Sequence, residues 1–195
     1  MPFREWFSAG ADSCALSAHK LGAFGGIGAL VLRRGRRFRP FIRGGAQEKN
    51  RRAGTENLPG IVSFGIAAQE LLRDEHWNGV ARVDKFRQDF YVDISRFPSI
   101  TLNSPPLKAV YNTCNFSIPK GGEDLLLKLD MEGICASSGS ACSSGANLPS
   151  SVLLAMGRDE VTAKNAVRFS FSVNTTQDEI EKVRGVLKEI LGYGV

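Results

Sequence analysis

Several features that would assign this chain to a familiar class are missing from its 195 residues. No apolar run approaches the roughly 18 residues that a membrane-spanning helix needs. The amino-terminal residues lack the charged and then apolar layout of a secretory signal peptide. The four cysteines form no C-x-x-C pair, and an even count in a chain this long does not by itself indicate a disulfide framework. We therefore expect a soluble, cytoplasmic protein with reduced thiols and no membrane contact, and no residues are assigned to a metal.

The composition is that of a globular protein with one local excess of charge. Hydrophobic residues make up 43% of the chain and charged residues 23%, which argues against wholesale disorder. The net charge is +5, and much of it lies between Arg33 and Arg52. Charge alone leaves two interpretations about equally open. One is a solvated basic surface, and the other is a site for an anion such as nucleic acid, a phosphorylated cofactor or an acidic protein.

Hydrophobic periodicity predicts a mixed α/β architecture. Strands are predicted at 12–18, 27–32, 110–118 and 167–172. Helices are predicted after Pro59 and at about 79–96, 123–131 and 180–190. A glycine-rich turn joins the first two strands, residues 44–58 are predicted to be a loop, and Thr176 with Glu179 resembles a capping box. Without an internal repeat or a Pro/Ser-rich linker, we expect the domain boundary within or just after the helix that follows Pro59.

Lys20 is the first candidate for chemistry, because it follows a predicted strand and precedes a glycine-rich turn. Its amine could attack a carbonyl if burial or nearby positive charge kept it deprotonated. The neighbouring Ser17 hydroxyl and His19 imidazole could hold a phosphate. On these residues alone, a surface lysine is the more common outcome. The glycines at 22–28 do not form a dinucleotide fingerprint, since a strand follows them instead of a helix.

Two further candidates could bind anions. The stretch RRAGTEN (51–57) precedes a predicted helix, and helix N-termini with adjacent arginines favour phosphate or carboxylate. Its alternative is an ordinary loop in which Thr55 or Asn57 caps the helix. Arg168 lies on the opposite face of a strand from Val167 and Phe169, where a rigid backbone could aim its guanidinium at a carboxylate. An exposed arginine without a ligand is the commoner outcome there.

Cys142 stands in the most informative stretch, residues 137–145, which reads Ser-Ser-Gly-Ser-Ala-Cys-Ser-Ser-Gly. Buried structural cysteines usually have apolar neighbours, as Cys14 and Cys114 do. A cysteine flanked by Ser and Gly is expected to be exposed on a mobile segment, which suits a nucleophile that reaches a substrate and carries a product away. The alternative is an inert thiol. No local base is visible, so a thiolate would need activation from elsewhere in the fold.

Taken together and in this order, these features resemble the cysteine desulfurases of the NifS/IscS type, which are class V, fold type I pyridoxal-phosphate enzymes. The resemblance covers nearly the whole chain and is most specific around Lys20 and Cys142. It rests on SAHKLGAFGGIGALVLRRG (17–35), RRAGTENLPGIVSFG (51–65), ASSGSACSSGANLPSSVLLAMG (136–157) and AVRFSFSVNTTQDEI (166–180). It implies the C-terminal part of a fold type I transferase. Residues 1–75 would be the remnant of the large-domain sheet with a linking helix, and 76–195 the small α/β domain with the catalytic cysteine loop.

The resemblance also implies a role for each matching residue. Lys20 would bind pyridoxal 5'-phosphate covalently and later act as a base, while Ser17 and His19 would bind the cofactor phosphate. In a homodimer, Thr55 would reach the phosphate in the partner subunit. Arg168 would hold the carboxylate of L-cysteine. Cys142 would take the substrate sulfur as a persulfide, release alanine, and deliver the sulfur to a scaffold for iron–sulfur assembly or to another acceptor protein.

Two departures from the family pattern qualify these implications. Ala23-Phe24-Gly25 stands where the glycine turn usually reads Gly-Pro-Lys, and we attach no mechanism to it. Family members also carry a comparable length of chain before the lysine motif, which supplies the acidic partner of the pyridine nitrogen and a histidine that stacks on the ring. We therefore expect a fragment, a truncated gene product or half of a split enzyme, inactive alone, with uncovered apolar strand edges before about residue 60.

Other functions stay open at this point. The Cys142 loop argues against a plain aminotransferase, which needs no thiol, but it does not separate a desulfurase from a selenocysteine lyase. A sulfur relay that uses Cys142 without any cofactor is a second alternative. A non-catalytic anion- or nucleic-acid-binding fragment that uses residues 33–52 is the third. Nucleic acid is disfavoured, because that stretch has no interleaved aromatics beyond Phe38 and Phe41 and no nucleic-acid motif is evident.

Overall fold

A computed structural model of the protein describes residues 3–105, 109–138 and 148–192. The chain divides into two compact units, Met1–Asp74 and Glu75–Val195. Within the described residues, the first unit contains a two-stranded sheet and the second a three-stranded sheet, each packed with helices. The prediction of a mixed α/β architecture is therefore confirmed. No helix in the described ranges is both long and apolar enough to cross a membrane.

The first unit is built on an antiparallel hairpin. Its elements are α1 (Phe3–Ser8), β1 (Ser13–Ser17), β2 (Gly28–Leu32), α2 (Gln47–Asn50) and α3 (Leu58–Glu70). Ser17 at the end of β1 lies opposite Gly28 at the start of β2. A side chain at position 28 would clash with the Leu16 carbonyl oxygen, so this close approach of two backbones requires glycine. The two predicted strands are confirmed.

The segment that leads into α3 is a loop with one irregular turn. Residues Glu48, Lys49 and Asn50 of α2 all have positive φ, at 50°, 57° and 62°, so this segment is not a regular right-handed helix. The regular helix begins at Leu58, where Asn57 Oδ1 accepts a hydrogen bond from the Gly60 N–H at 3.2 Å and Pro59 occupies the first turn. The helix predicted after Pro59 is thus confirmed.

The second unit holds an aromatic core between its sheet and its helices. Its elements are α4 (Asp74–Ser95), β3 (Thr101–Leu102), β4 (Thr113–Ser117), α5 (Gly122–Met131), α6 (Ser151–Ala155), α7 (Glu160–Lys164), β5 (Ala166–Ser170) and α8 (Gln177–Ile190). The sheet order is β3-β4-β5, with Cys114 opposite Phe169 and Phe116 opposite Val167. Phe90 of α4 is fully buried, and its ring centroid lies 5.2 Å from that of Phe169.

An open apolar groove lies on the first unit beside α3. Its volume is about 730 Å³, and its lining includes Leu21, Phe24, Leu58, Val62 and Ile66. Phe24 and Leu58 are each 66% exposed. A contiguous apolar surface of this kind on a folded unit marks a place where another polypeptide surface or a ligand packs.

Candidate active site

Lys20 lies in a single 3₁₀ turn, Ala18–Leu21, that follows β1 directly. The turn begins with the Ala18 N–H donating to the Ile27 carbonyl at 3.1 Å, which extends the hairpin pairing, and Ala18 is fully buried. It ends at Gly22, whose φ of 92° lies in the left-handed region and whose N–H donates to the His19 carbonyl at 3.3 Å. Glycine takes this conformation without strain. A buried alanine and a left-handed glycine therefore hold Lys20 at the tip of the hairpin.

Ser17, His19 and Lys20 lie at or just before this turn, and all three residues are exposed. Ser17 precedes the turn in extended conformation, but its hydroxyl caps none of the turn's N–H groups. Among the described residues, the side chains of Ser17, His19 and Lys20 make no hydrogen bond or ion pair, and all three residues are exposed. A hydroxyl, an imidazole and a primary amine thus remain available to one ligand. This donor set fits a phosphate beside an aldehyde.

The turn is joined to α3, and Thr55 lies just before that helix. The Phe24 N–H donates to Ser63 Oγ of α3 at 3.0 Å, which ties the glycine-rich turn to the helix. Asn57 caps α3, so Thr55 is not the cap. The Thr55 hydroxyl makes no hydrogen bond within the described ranges, and the residue is exposed. Of the two capping residues that the sequence left open, the structure uses Asn57.

Arg168 occupies the middle of β5 in the second unit. Its neighbours Val167 and Phe169 are buried in the core, as the strand alternation predicts. Arg168 itself is half-buried, and its Nε atom is buried without a hydrogen-bond partner among the described residues. An unsatisfied buried donor costs free energy of about 1–3 kcal/mol. A carboxylate is the ligand that would satisfy it, since guanidinium and carboxylate form paired, charge-assisted hydrogen bonds.

Ser137, five residues before Cys142 in the sequence, is hydrogen-bonded to Arg168. The Arg168 N–H donates to the Ser137 carbonyl at 2.7 Å, and the Ser137 N–H returns a bond to the Arg168 carbonyl at 3.1 Å. Ser137 therefore adds a one-residue bridge to β5 on the side away from Asn115 of β4. Cys142 itself lies outside the described residues. Sequence analysis does not predict this bridge, because its partners are distant along the chain and the residues around Ser137 have no strand pattern.

The three described cysteines differ sharply in their surroundings. Cys114 is fully buried, and burial raises the pKa of its thiol to about 12 despite the opposing influence of Arg87. A thiol with so high a pKa does not act as a nucleophile near neutral pH. Cys14 is half-buried and Cys135 is exposed. The interpretation of Cys114 as a structural cysteine is confirmed, whereas Cys14 is less enclosed than its apolar neighbours in the sequence predict.

Residues 7–183 match the family model described as aminotransferase class-V. The chain belongs to that family. It is 44% identical over 182 residues to Cysteine desulfurase 2 of Trichormus variabilis, with 92% of this chain and 45% of the relative covered. It is 44% identical over 172 residues to Cysteine desulfurase NifS of Azotobacter vinelandii, with 87% and 42% covered. The chain thus spans about half the length of the curated relatives it matches, and the resemblance to NifS-type desulfurases is confirmed.

Solved structures of the same family share the fold. A structure described as a NifS-like protein superposes with a TM-score of 0.78 at 29% identity, and 95% of this chain covers 47% of that one. The NifS-like protein from Rickettsia africae gives a TM-score of 0.79 at 30% identity, with 94% and 48% covered. The prediction of part of a fold type I pyridoxal-phosphate enzyme is therefore confirmed.

Proposed function

We propose that this chain is the part of a cysteine desulfurase that binds pyridoxal phosphate through Lys20 and accepts sulfur on Cys142. The observation that carries the proposal is the tip of the β1–β2 hairpin, where the side chains of Ser17, His19 and Lys20 are exposed and form no hydrogen bond or ion pair with the described residues. The same turn borders an open groove. We propose that turnover requires further class-V polypeptide to cover the groove and enclose Lys20.

The donor set suits the cofactor residue by residue. Ser17 and His19 would hold the phosphate through a hydroxyl and an imidazole N–H, and the Lys20 amine would bind the aldehyde carbon. Thr55 would contact the cofactor phosphate of a partner subunit, which makes the active form a homodimer. When bound, pyridoxal phosphate supplies an electron sink that makes the substrate Cα–H acidic.

Residues of the second unit would bind the substrate carboxylate and accept the sulfur. Arg168 would bind the carboxylate of L-cysteine, and its Nε, which has no hydrogen-bond partner among the described residues, supports that role. Lys20 would take the proton from the substrate Cα. The Cys142 sulfur would bond to the substrate sulfur as the substrate C–S bond breaks, so that L-cysteine and the enzyme thiol become L-alanine and an enzyme persulfide. An iron–sulfur scaffold or another acceptor protein would then receive the outer sulfur atom.

The proposal also covers the roles of the two domains and the cellular compartment. Residues 1–75 would be the remnant of the large cofactor-binding domain, and 76–195 the small domain with the cysteine loop. Cys14, Cys114 and Cys135 are free thiols, which supports a reducing compartment such as the cytoplasm.

Covalent trapping tests the role of Lys20 without relying on turnover. The chain is mixed with the amino-terminal half of Azotobacter vinelandii NifS, loaded with pyridoxal phosphate and reduced with borohydride. Peptide mass spectrometry then locates the label. We expect label on Lys20 in the mixture and little in the chain alone. Lys20→Ala removes the label and Lys49→Ala, an exposed lysine of the same unit, retains it. Equal labelling of both variants would disprove the role of Lys20.

A second measurement addresses the sulfur acceptor. The mixture is given L-cysteine, and persulfides are alkylated and mapped by mass. Cys142→Ser is expected to abolish the persulfide, and Cys135→Ser, which removes an exposed thiol seven positions earlier, is expected to leave it intact. A persulfide that forms without pyridoxal phosphate would instead favour a bare sulfur relay.

A further inference from the structure

A row of polar residues crosses the face of the second unit's sheet that is turned away from the aromatic core. Arg168 of β5 lies directly opposite Asn115 of β4. The residues on either side of each are buried in the core, so both side chains project from the other face. Asn103, which follows β3, is bonded to Asn115, and Ser137 is bridged to Arg168. The order across the sheet is therefore Asn103, Asn115, Arg168 and Ser137.

The backbone hydrogen bonds of this row bring the side chains of Asn115 and Arg168 close together. The N–H and C=O groups of Arg168 both pair with Ser137, and the Asn115 carbonyl accepts from the N–H groups of Asn103 and Ser104 at 2.9 and 3.1 Å. The backbone groups of Asn115 and Arg168 thus point away from each other, which makes the two residues a non-hydrogen-bonded pair. In such a pair the Cα atoms are only about 4.5 Å apart, and the side chains are closer than in a hydrogen-bonded pair.

Asn103 fixes the orientation of the Asn115 amide. Asn103 is only 4% exposed, and its Nδ2 donates to Asn115 Oδ1 at 2.8 Å and to Ser117 Oγ at 2.7 Å. The amide oxygen of Asn115 therefore faces Asn103. Its Nδ2, on the other branch of the same planar group, faces away from Asn103 and donates to no described residue. Asn115 is half-buried, so this donor remains accessible to a ligand.

Two donors of different charge thus stand side by side. Arg168 Nε and Asn115 Nδ2 both lack a hydrogen-bond partner in the part of the chain that the structure describes. A carboxylate has about four lone-pair sites on its two oxygens, which is more than the paired bonds of one guanidinium fill. The amide of Asn115 is neutral, so it adds a donor beside Arg168 without adding like-charge repulsion.

We propose that Asn115 is a second residue of the substrate carboxylate site. Its Nδ2 donates to an oxygen of the carboxylate that Arg168 binds, and Asn103 is the positioning residue that holds the amide in the donating orientation. This inference rests on the role of Arg168 in the proposed function. It makes the site selective for a free carboxylate, because a ligand whose carboxylate is replaced by an amide or ester leaves buried donors unpaired.

The test follows carboxylate binding by the full chain without cofactor or turnover. Nitrogen-15 NMR records the side-chain amide resonances of Asn115 and the Nε–H resonance of Arg168 while L-alanine, the amino-acid product, is added in the millimolar range. We expect both to shift with one common dissociation constant. L-Alaninamide, in which an amide replaces the carboxylate, is expected to shift neither.

Two substitutions at one position separate the donor from the packing. Asn115→Asp keeps the size of the side chain and the acceptor for Asn103, but replaces the donor with an oxygen. It is expected to weaken L-alanine binding more than about tenfold, because a hydrogen bond to a charged group is lost and a like charge is added. Asn115→Ala is expected to weaken it about tenfold. The control Asn174→Asp adds the same charge at an exposed asparagine of this unit and should leave binding within about twofold.

The outcomes separate this proposal from the role of Arg168. A shift of the Arg168 resonance without one at Asn115 overturns the proposal and leaves the role of Arg168 intact, whereas a shift of neither removes both. Unchanged binding by Asn115→Asp overturns the proposal, as does an equal loss in Asn174→Asp, since net charge would then explain the effect. The backbone amide spectrum of each variant shows that it is folded, so weaker binding is not confused with unfolding.

Discussion

Two leucines of α5 allow the packing of the second unit to be tested with one chemical change. Leu129 is fully buried in the core, and Leu127, two residues earlier on the same helix, is 62% exposed. Leu→Ala removes the same three carbon atoms at both positions and changes helix propensity equally. At Leu129 the lost transfer free energy is about 2.4 kcal/mol at roughly 0.8 kcal/mol per carbon, and the cavity left behind raises the cost to between about 2.7 and 5 kcal/mol.

At Leu127 the cost is expected to stay within about 0.5 kcal/mol, because the side chain is largely in water already. Urea denaturation followed by circular dichroism gives the free energy of unfolding, and hydrogen exchange of the β4 and β5 amides assigns any change to the second unit. If Leu129→Ala and Leu127→Ala lower stability equally, α5 does not pack through Leu129 and the core described above is wrong.

Three further outcomes are expected. Thr176→Ala removes the α8 capping box and lowers the unfolding free energy by about 1 kcal/mol, whereas Thr176→Ser, measured in the same urea titration, retains it. Hydrogen bonds from Thr162 lower the pKa of Asp159. The stability that the Asp159 carboxylate adds is therefore full above about pH 4 and is lost as the pH falls through the lowered pKa. The Tm difference between wild type and Asp159→Ala should shrink from pH 7 to pH 3. Iodoacetamide at pH 8 should label exposed Cys135 and spare Cys114, whose thiol has a pKa of about 12; peptide mapping that finds Cys114 labelled in the folded chain would contradict its burial.

Local patterns were sufficient to predict most of the regular elements. The alternation around Val167 and Phe169 predicted a half-buried strand, and β5 has that pattern of burial. The capping box at Thr176 was predicted from a four-residue pattern and is present. These features depend on neighbours within a few residues, so the sequence contains the information needed to find them. The short strand β3 was missed, because two residues carry too little periodicity and its pairing with β4 is non-local.

The sequence by itself determined the family, since the order of the Lys20 and Cys142 motifs is specific and the class-V match covers most of the chain. Only the tertiary structure decided which groups form hydrogen bonds within the fold. It assigned the α3 cap to Asn57 instead of Thr55, paired Ser137 with Arg168, and left Arg168 Nε without a partner among the described residues. The physical reason is that hydrogen-bond satisfaction depends on which distant groups the fold brings within about 3 Å, and a linear pattern does not encode those encounters.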